Sequence, residues 1–279
     1  MEQWTEIINS DGNSFSSQIN GLWKYRDLIL ELVKRDFILY YKQTLLGPLW
    51  FIIQPILTVI VFTLVFGQMA GISTDGLPCM LFYLAGVTFW NYFSESFRQI
   101  AGSFIENQNV YSKVYFPRFI IPVSIVISNL IKLGLYFVLL AGFYIYYINH
   151  GYELRPNYYI LLLPVLIATM GMLSMGMGMI IASLTCKYRD LKFLLSFGIQ
   201  LMMYVTPVIY PLSATPEKYR FLFLINPMTI IIETFKFSIL GKGSFSFMNL
   251  FYGIIITLII FFLSLVIYAK IEKDFIDTI

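Results

Sequence analysis

The sequence predicts an all-α polytopic membrane protein with six transmembrane helices, an N-terminal amphipathic interface helix and a re-entrant helical hairpin between spans five and six. Three observations lead there. Between Lys42 and Asp75 lie 32 residues without an ionised side chain, including LWFIIQPILTVIVFTLVFG at 49–67. A bilayer core takes about 20 apolar residues per helix, and backbone groups in lipid must be satisfied within their own segment, which selects helix. The whole chain is 58% hydrophobic and 13% charged, with mean hydropathy +0.74, against about 25% charged for soluble domains. Lastly, the apolar runs recur along the chain, with Lys and Arg concentrated in alternate connections.

Residues 1–20 are polar and read as a surface segment. Across 21–41, Leu22, Tyr25, Ile29, Leu32, Val33, Phe37 and Tyr40 recur at helical spacing, with Lys24, Asp27, Glu31, Lys34 and Arg35 filling much of the other face. This predicts an amphipathic helix along the membrane surface; a helix packed on another soluble element is the plain alternative. Residues 1–48 form a cytoplasmic segment without a cleavable signal, since they are polar or amphipathic up to the turn at Gly47-Pro48.

The transmembrane domain occupies 49–269. Span one is 49–67, kinked at Pro55, and span two is 80–100. Glu95 and Arg98 stand three apart in span two and can pair, facing protein or water rather than lipid. The connector ENQNVYSKVYFPR at 106–118 suits a short helix parallel to the membrane. Span three, 119–148, carries Lys132 and an aromatic tail. Span four, 158–185, lies within 31 charge-free residues, and its centre MGMLSMGMGM offers small residues for close helix contact and Met to fill gaps. The charged loop CKYRDLK at 186–192 precedes span five, 193–210. In 212–243 two apolar arms, each too short to span, are broken at Asn226-Pro227, with Glu233 downstream. Two half-helices there fit a re-entrant hairpin, and an extramembrane cap is the competing arrangement. Span six is 245–269 and the tail is 270–279.

Six crossings put both termini on one side. That side then holds 13 Lys and Arg in its connections and the other holds five, which assigns the termini to the cytoplasm. Cys79 and Cys186 fall on opposite sides, so no disulfide joins them.

Catalytic patterns are not evident. Gly241-Lys242-Gly243-Ser244 lacks the upstream glycine of a phosphate-binding loop, and His150 has no triad around it. A metal cluster is not expected from one His and scattered acids. Glu95 suits a proton-coupled transporter as well as a structural pair with Arg98. Trp90, Tyr92, Phe93, Phe97, Tyr136 and Tyr204 are candidates for a path that carries sugars on aromatic faces; packing and interfacial belts are the plain reading of each.

YKQTLLGPLW at 41–50, IQP at 53–55, VYFPR at 114–118, YRDL at 188–191 and Asn226-Pro227 followed by Glu233 and Lys236 together resemble the membrane subunit of type-two ATP-binding-cassette exporters of polysaccharides and polyol phosphates, the O-antigen and teichoic acid permeases. The similarity covers essentially the whole chain, with Lys236 standing where relatives often have Arg. The resemblance implies a homodimer in the inner (cytoplasmic) membrane, with two copies of a separate nucleotide-binding ATPase subunit that holds Mg-ATP, and no cofactor or nucleic acid on this chain. It implies export of an undecaprenyl-diphosphate-linked glycan through a channel at the dimer axis. Lys34, Arg35, Lys113, Arg118, Tyr188, Arg189 and Asp190 would meet the ATPase. An exporter of drugs or small lipids, and a membrane scaffold without transport, are the competing readings.

Overall fold

The computed structural model describes residues 23–42, 47–107, 116–188 and 190–276. Nine α-helices follow in order among the described residues: α1 (Arg26–Lys42), α2 (Trp50–Phe62), α3 (Cys79–Glu106), α4 (Ile120–Asn149), α5 (Leu163–Lys187), α6 (Leu191–Val205), α7 (Glu217–Ile225), α8 (Pro227–Leu240) and α9 (Phe247–Ile276). Four stretches of the described residues are long and apolar enough to cross a bilayer: Trp50–Met69, Ile120–Asn149, Tyr158–Thr185 and Phe247–Tyr268. The α7–α8 pair, bent by 102° between its two arms, makes a fifth if counted as one crossing. The protein is therefore an all-α, multi-pass membrane protein.

Two of the six expected spans are not among those four. Helix α3 has the length, 28 residues, but its apolarity is diluted by Asn91, Glu95, Arg98 and Gln99. It is the central helix, buried along most of its length from Leu81 to Phe104, so its side chains meet protein rather than lipid. Span five was expected over 193–210, yet α6 ends at Val205 after 15 residues. The cause is local: Thr206 precedes Pro207 and takes an extended conformation (φ −105°, ψ 141°), as residues before proline do. At about 1.5 Å per residue, 15 residues reach only some 22 Å. Span one continues past α2 as a π-helical turn over Thr63–Met69. The sequence break at 226–227 is where α7 gives way to α8. Asn226 caps α8 by accepting the Met228 N–H at 3.0 Å, and Pro227 takes the first helical position, where its missing N–H costs nothing.

The main core forms where α3 meets α5 and α8: Leu81, Phe89 and Phe93 pack with Leu166, Met170, Leu173, Ile231 and Phe235. The Gly/Met stretch of α5 works as its composition suggests. A Cβ on Gly178 would lie 2.7 Å from Cβ of Ile100 on α3, and one on Gly176 would lie 3.1 Å from the Phe261 backbone on α9. Met170 and Met179 are fully buried between these contacts. A second core gathers Ile29, Leu32 and Val33 of α1 against Ile100 and Phe104 of α3, Ile120 and Ile121 of α4, and Leu265 of α9. Helix α1 thus packs on the bundle by one stripe, while Leu30, Phe37 and Ile38 on it, and Trp23 just before it, stay exposed. The Glu106–Arg118 connector is described only to Asn107 and from Phe116. The helix expected within it lies outside the described residues.

Gly178→Val is expected to wedge α5 from α3 and to lower thermal stability in detergent by about 1–3 kcal/mol, the usual cost of overpacking. Gly198→Ala on α6, where a Cβ meets nothing within 4 Å, should leave the melting temperature unchanged. Thermal-shift assays on purified protein compare the two directly.

Candidate functional site

Along α3, Asn91, Glu95, Arg98, Gly102 and Glu106 recur at three- and four-residue intervals and form one polar stripe running from the helix middle to its end. Glu95 is its hub. Arg98 donates to Glu95 Oε2, Gln99 Nε2 donates to Oε1 at 2.7 Å, and Lys132 Nζ of α4 lies 3.5 Å from Oε1. Two cations therefore share one carboxylate. The Lys132 side chain is 10% exposed, Glu95 26% and Arg98 60%, so the cluster opens outward from a buried lysine. Gln99 Oε1 in turn accepts from Asn129 Nδ2 of α4 at 3.0 Å.

Two clefts flank this hub, and Glu95 and Arg98 line both. One, about 340 Å³, lies between α2, α3 and α4 and is lined by Trp50, Gln54, Asn91, Lys132 and Tyr136 as well. The other, about 400 Å³, runs toward α6 and includes Gly102, Glu106, Lys192 and Ser196. Lys192 Nζ donates to Glu106 Oε1 at 3.2 Å across its mouth.

The hub also connects to α1. Arg35 pairs with Asp36 at 2.9 Å and donates to Asn107 Oδ1 at 3.3 Å, while Ser128 of α4 donates to Asp36 Oδ2 at 3.4 Å. Ser128 precedes Asn129, so hydrogen bonds link the surface helix to α3 and α4 with a single residue step between them.

A second buried cation sits in the bent pair. Lys236 of α8, 2% exposed, donates to Pro207 O at 2.6 Å and Val208 O at 3.4 Å, and its Nζ lies 3.6 Å from the centroid of Phe82. This lysine takes up carbonyls of the turn that follows α6, while Thr206 Oγ1 and Tyr210 OH donate to Met202 O and Tyr204 O at the helix end. Gly86 lets the same turn approach α3, since a Cβ there would fall 2.8 Å from Val208 O. Asn226 adds a tie between the two breaks, donating to Thr206 Oγ1 at 3.2 Å. Glu233 is buried one turn before Lys236 on α8.

The structure distributes the sequence candidates unevenly. Glu95, Arg98 and Lys132 converge. Tyr136 lines the smaller cleft, and Tyr204 is exposed on α6. Trp90, Tyr92, Phe93 and Phe97 are at most 5% exposed in the packing of this single chain, with Phe93 and Phe97 ring centroids 5.5 Å apart. Among the coupling candidates, Lys34, Tyr188 and Asp190 are exposed and Arg35 is half-buried. Arg118 is 8% exposed, its guanidinium 5.9 Å from the Phe104 ring. Lys113 and Arg189 lie outside the described residues. Sequence reasoning missed Asp36, Gln99, Asn129 and Lys192. The stripe on α3 was readable from its spacing; the partners on other helices left no local mark.

The profile of the ABC-2 type transporter family matches residues 27–240. The chain belongs to that family. It is 27% identical over 253 residues to the O-antigen export system permease protein RfbA of Klebsiella pneumoniae, covering 89% of this chain and 93% of that one. It is 29% identical over 222 residues to a Myxococcus xanthus protein of the same name, covering 78% and 82%. It is also 22% identical over 238 residues to the polysialic acid transport protein KpsM of Escherichia coli, covering 82% and 87%. The ABC-2 match runs from α1 to the end of α8, so it takes in the charged hub, the link to α1 and the bent pair. Membership implies partner ATPase subunits and a paired arrangement of permeases.

Glu95→Gln is expected to leave Lys132 and Arg98 without their shared carboxylate and to destabilise this ABC-2 permease by about 2 kcal/mol, the scale for a buried group losing its partner. Adding Lys132→Met should recover part of the loss, because it removes the stranded charge. Melting temperatures of the single and double variants measure both effects.

Proposed function

We propose that this protein is the transmembrane permease subunit of an ATP-driven exporter that moves a lipid-linked polysaccharide of O-antigen type across the cytoplasmic membrane, through a channel at a homodimer axis. The observation that carries this reading is the similarity to O-antigen export permeases over nearly the full length of both chains. The polymer-transport description of the Escherichia coli relative points to the same substrate class.

The geometry supports a division of labour. In the proposed topology both termini and the loop holding Tyr188, Arg189 and Asp190 face the cytoplasm, α3 and α6 complete the six crossings, and α7–α8 forms a re-entrant hairpin on the far side. The ATPase subunits, with Mg-ATP, would dock on α1, the 106–118 connector and the 188–190 loop. Lys34, Tyr188 and Asp190 offer exposed side chains for that contact. Lys113 and Arg189 belong to the same proposed surface. Arg118 and Arg35 would act one layer inward, the first against Phe104 and the second through Asp36, Asn107 and Ser128. A rigid displacement of α1 would then reach α3 and α4 through hydrogen bonds rather than through a flexible linker.

A homodimer fits the surfaces left uncovered. On α2, Leu57, Ile60 and Val61 are exposed, with Leu64 in the turn that follows, and on α6, Phe193, Leu194, Phe197, Leu201 and Tyr204. Both helices bound the clefts that meet at Glu95 and Arg98. Two copies joined along them would bring the polar stripes of both α3 helices toward one axis.

Purification from its native cell should bring down an ATPase subunit. Asp190→Ala should reduce transport-coupled ATP hydrolysis by about tenfold while leaving membrane insertion intact, in line with the loss of one buried charge-assisted contact at an interface. Unchanged coupling would remove this loop from the motor interface. Labelling of a cysteine at 190 only from outside intact cells would overturn the topology.

A further inference from the structure

The loop between α5 and α6 is held unequally at its two ends. On the α5 side, Thr185 is buried and donates to Ala101 O of α3 at 3.0 Å, and Gly178 brings the α5 backbone against Ile100 of α3. On the α6 side, Leu195 is the residue that the helix buries. Its polar tie is Lys192, whose ammonium donates to Glu106 Oε1 at 3.2 Å. The two side chains of that pair are 52% and 54% exposed. Lys192 and Leu195 stand three apart, so α6 leans on α3 by one narrow stripe at its start, while Phe193, Leu194 and Phe197 are exposed. Gly102 shapes the other partner. A Cβ there would fall 2.8 Å from Glu106 Oε1, so a side chain at 102 would push the carboxylate off the helix surface. Glycine is a poor helix former, and here its bareness lets Glu106 fold back along α3 to where Lys192 meets it. Behind the pair lies the cleft of about 400 Å³ that runs inward to Glu95 and Arg98.

We propose that Lys192 and Glu106 form a releasable latch across the mouth of this cleft, opened when a displacement of the 188–190 loop swings the start of α6 away from α3 while α5 stays in place. The inference rests on the ATPase docking proposed above and names the contact that docking breaks. Placement connects the two: Lys192 follows Asp190 by two residues, and Glu106 opens the 106–118 connector. Magnitudes decide which side gives way. A half-exposed ion pair biases an equilibrium by about fivefold or less, whereas the α5 side is held by a buried hydrogen bond and by close backbone packing. Breaking the pair strands no charge, because both groups already reach solvent and each keeps its hydration when they part. A pull on the loop therefore separates α6 from α3 before it separates α5 from α3.

The test uses the permease with its copurified ATPase in lipid nanodiscs, carrying Ala101→Cys in a background of Cys79→Ser and Cys186→Ser. Ala101 lines the cleft and is 1% exposed, so its replacement reports when the cleft opens. The readout is the rate at which iodoacetamide, small and uncharged, alkylates that thiol, followed by mass spectrometry. Lys192→Glu sets two carboxylates at the mouth and is expected to raise the rate about threefold to fivefold. Adding Glu106→Lys rebuilds the pair with its charges exchanged and should return the rate to its starting value, which a folding defect would not do. Trapping the ATPase with ATP and vanadate should raise the rate of the parent by a similar factor and add little to that of Lys192→Glu. A rate indifferent to Lys192→Glu, or one that the exchanged pair leaves raised, overturns the latch. A rate that follows the charges but ignores the trapped nucleotide overturns its release by the motor. The same complexes in proteoliposomes separate this from the function: failure to export any lipid-linked glycan overturns the export reading, while the alkylation rates still decide the latch.

Discussion

A charged side chain at bilayer depth needs a partner from its own protein, and this requirement organises the bundle more than any single apolar contact. Lys132 could not remain buried on α4 without Glu95, and Glu95 in turn is held by Arg98 and Gln99 of its own helix. That arrangement ties the rotation of α3 to that of α4, because turning either helix by one residue would part Glu95 from Lys132 and Gln99 from Asn129. Apolar packing tolerates substitution of similar shape and gives little rotational specificity in lipid, where tails are as apolar as leucine. The polar hub supplies the specificity that the greasy surfaces lack.

Lys236 solves the same problem differently. Among the described residues no carboxylate hydrogen-bonds it, although Glu233 stands one turn away on the same helix. Its ammonium satisfies the carbonyls of Pro207 and Val208 and lies against the Phe82 ring. The two needs are complementary. Helix α6 stops at Val205 because Pro207 forces Thr206 into extended geometry, and the turn that follows carries the Pro207 and Val208 carbonyls, which have no helical partner. The buried lysine, for its part, requires acceptors. One helix break and one charge thus cancel each other's cost, and together with the Asn226–Thr206 bond they fasten the bent pair to the end of α6.

How much of this was legible in the sequence follows from the range of the forces involved. Local signals survived well. The long charge-free runs became helices, the Gly/Met stretch of α5 became a close contact, and Asn226-Pro227 became a capped break. Where the end of a helix depended on one residue's backbone, as at Thr206, the proline was visible but its reach was misjudged, and span five came out too long. Partnerships between helices left nothing to read. Ser128 to Asp36 and Lys192 to Glu106 join positions far apart in the chain, and neither creates a periodic pattern. The aromatic candidates are a different case. Trp90, Tyr92, Phe93 and Phe97 were chosen by residue type, whereas only burial distinguishes a ring that lines a path from one that fills a core.

The distribution of exposure carries the synthesis one step further. A helix that faced lipid on all sides would have no reason to carry polar groups, and one buried all round would have no reason to shed them. Helix α3 does both in sequence: its first half is a continuous core of Leu, Phe and Tyr, and its second half turns a polar stripe toward two clefts. The helices beside those clefts, α2 and α6, bury little: Pro55 and Val59 on the first, Leu195 on the second. A single chain therefore places its polar cavities next to sparsely covered apolar faces. In lipid alone that placement would expose Arg98 and Lys192 near hydrocarbon for no return. In the homodimer proposed above, the same placement would enclose a passage with apolar seams, and the residues that burden the isolated chain would line it.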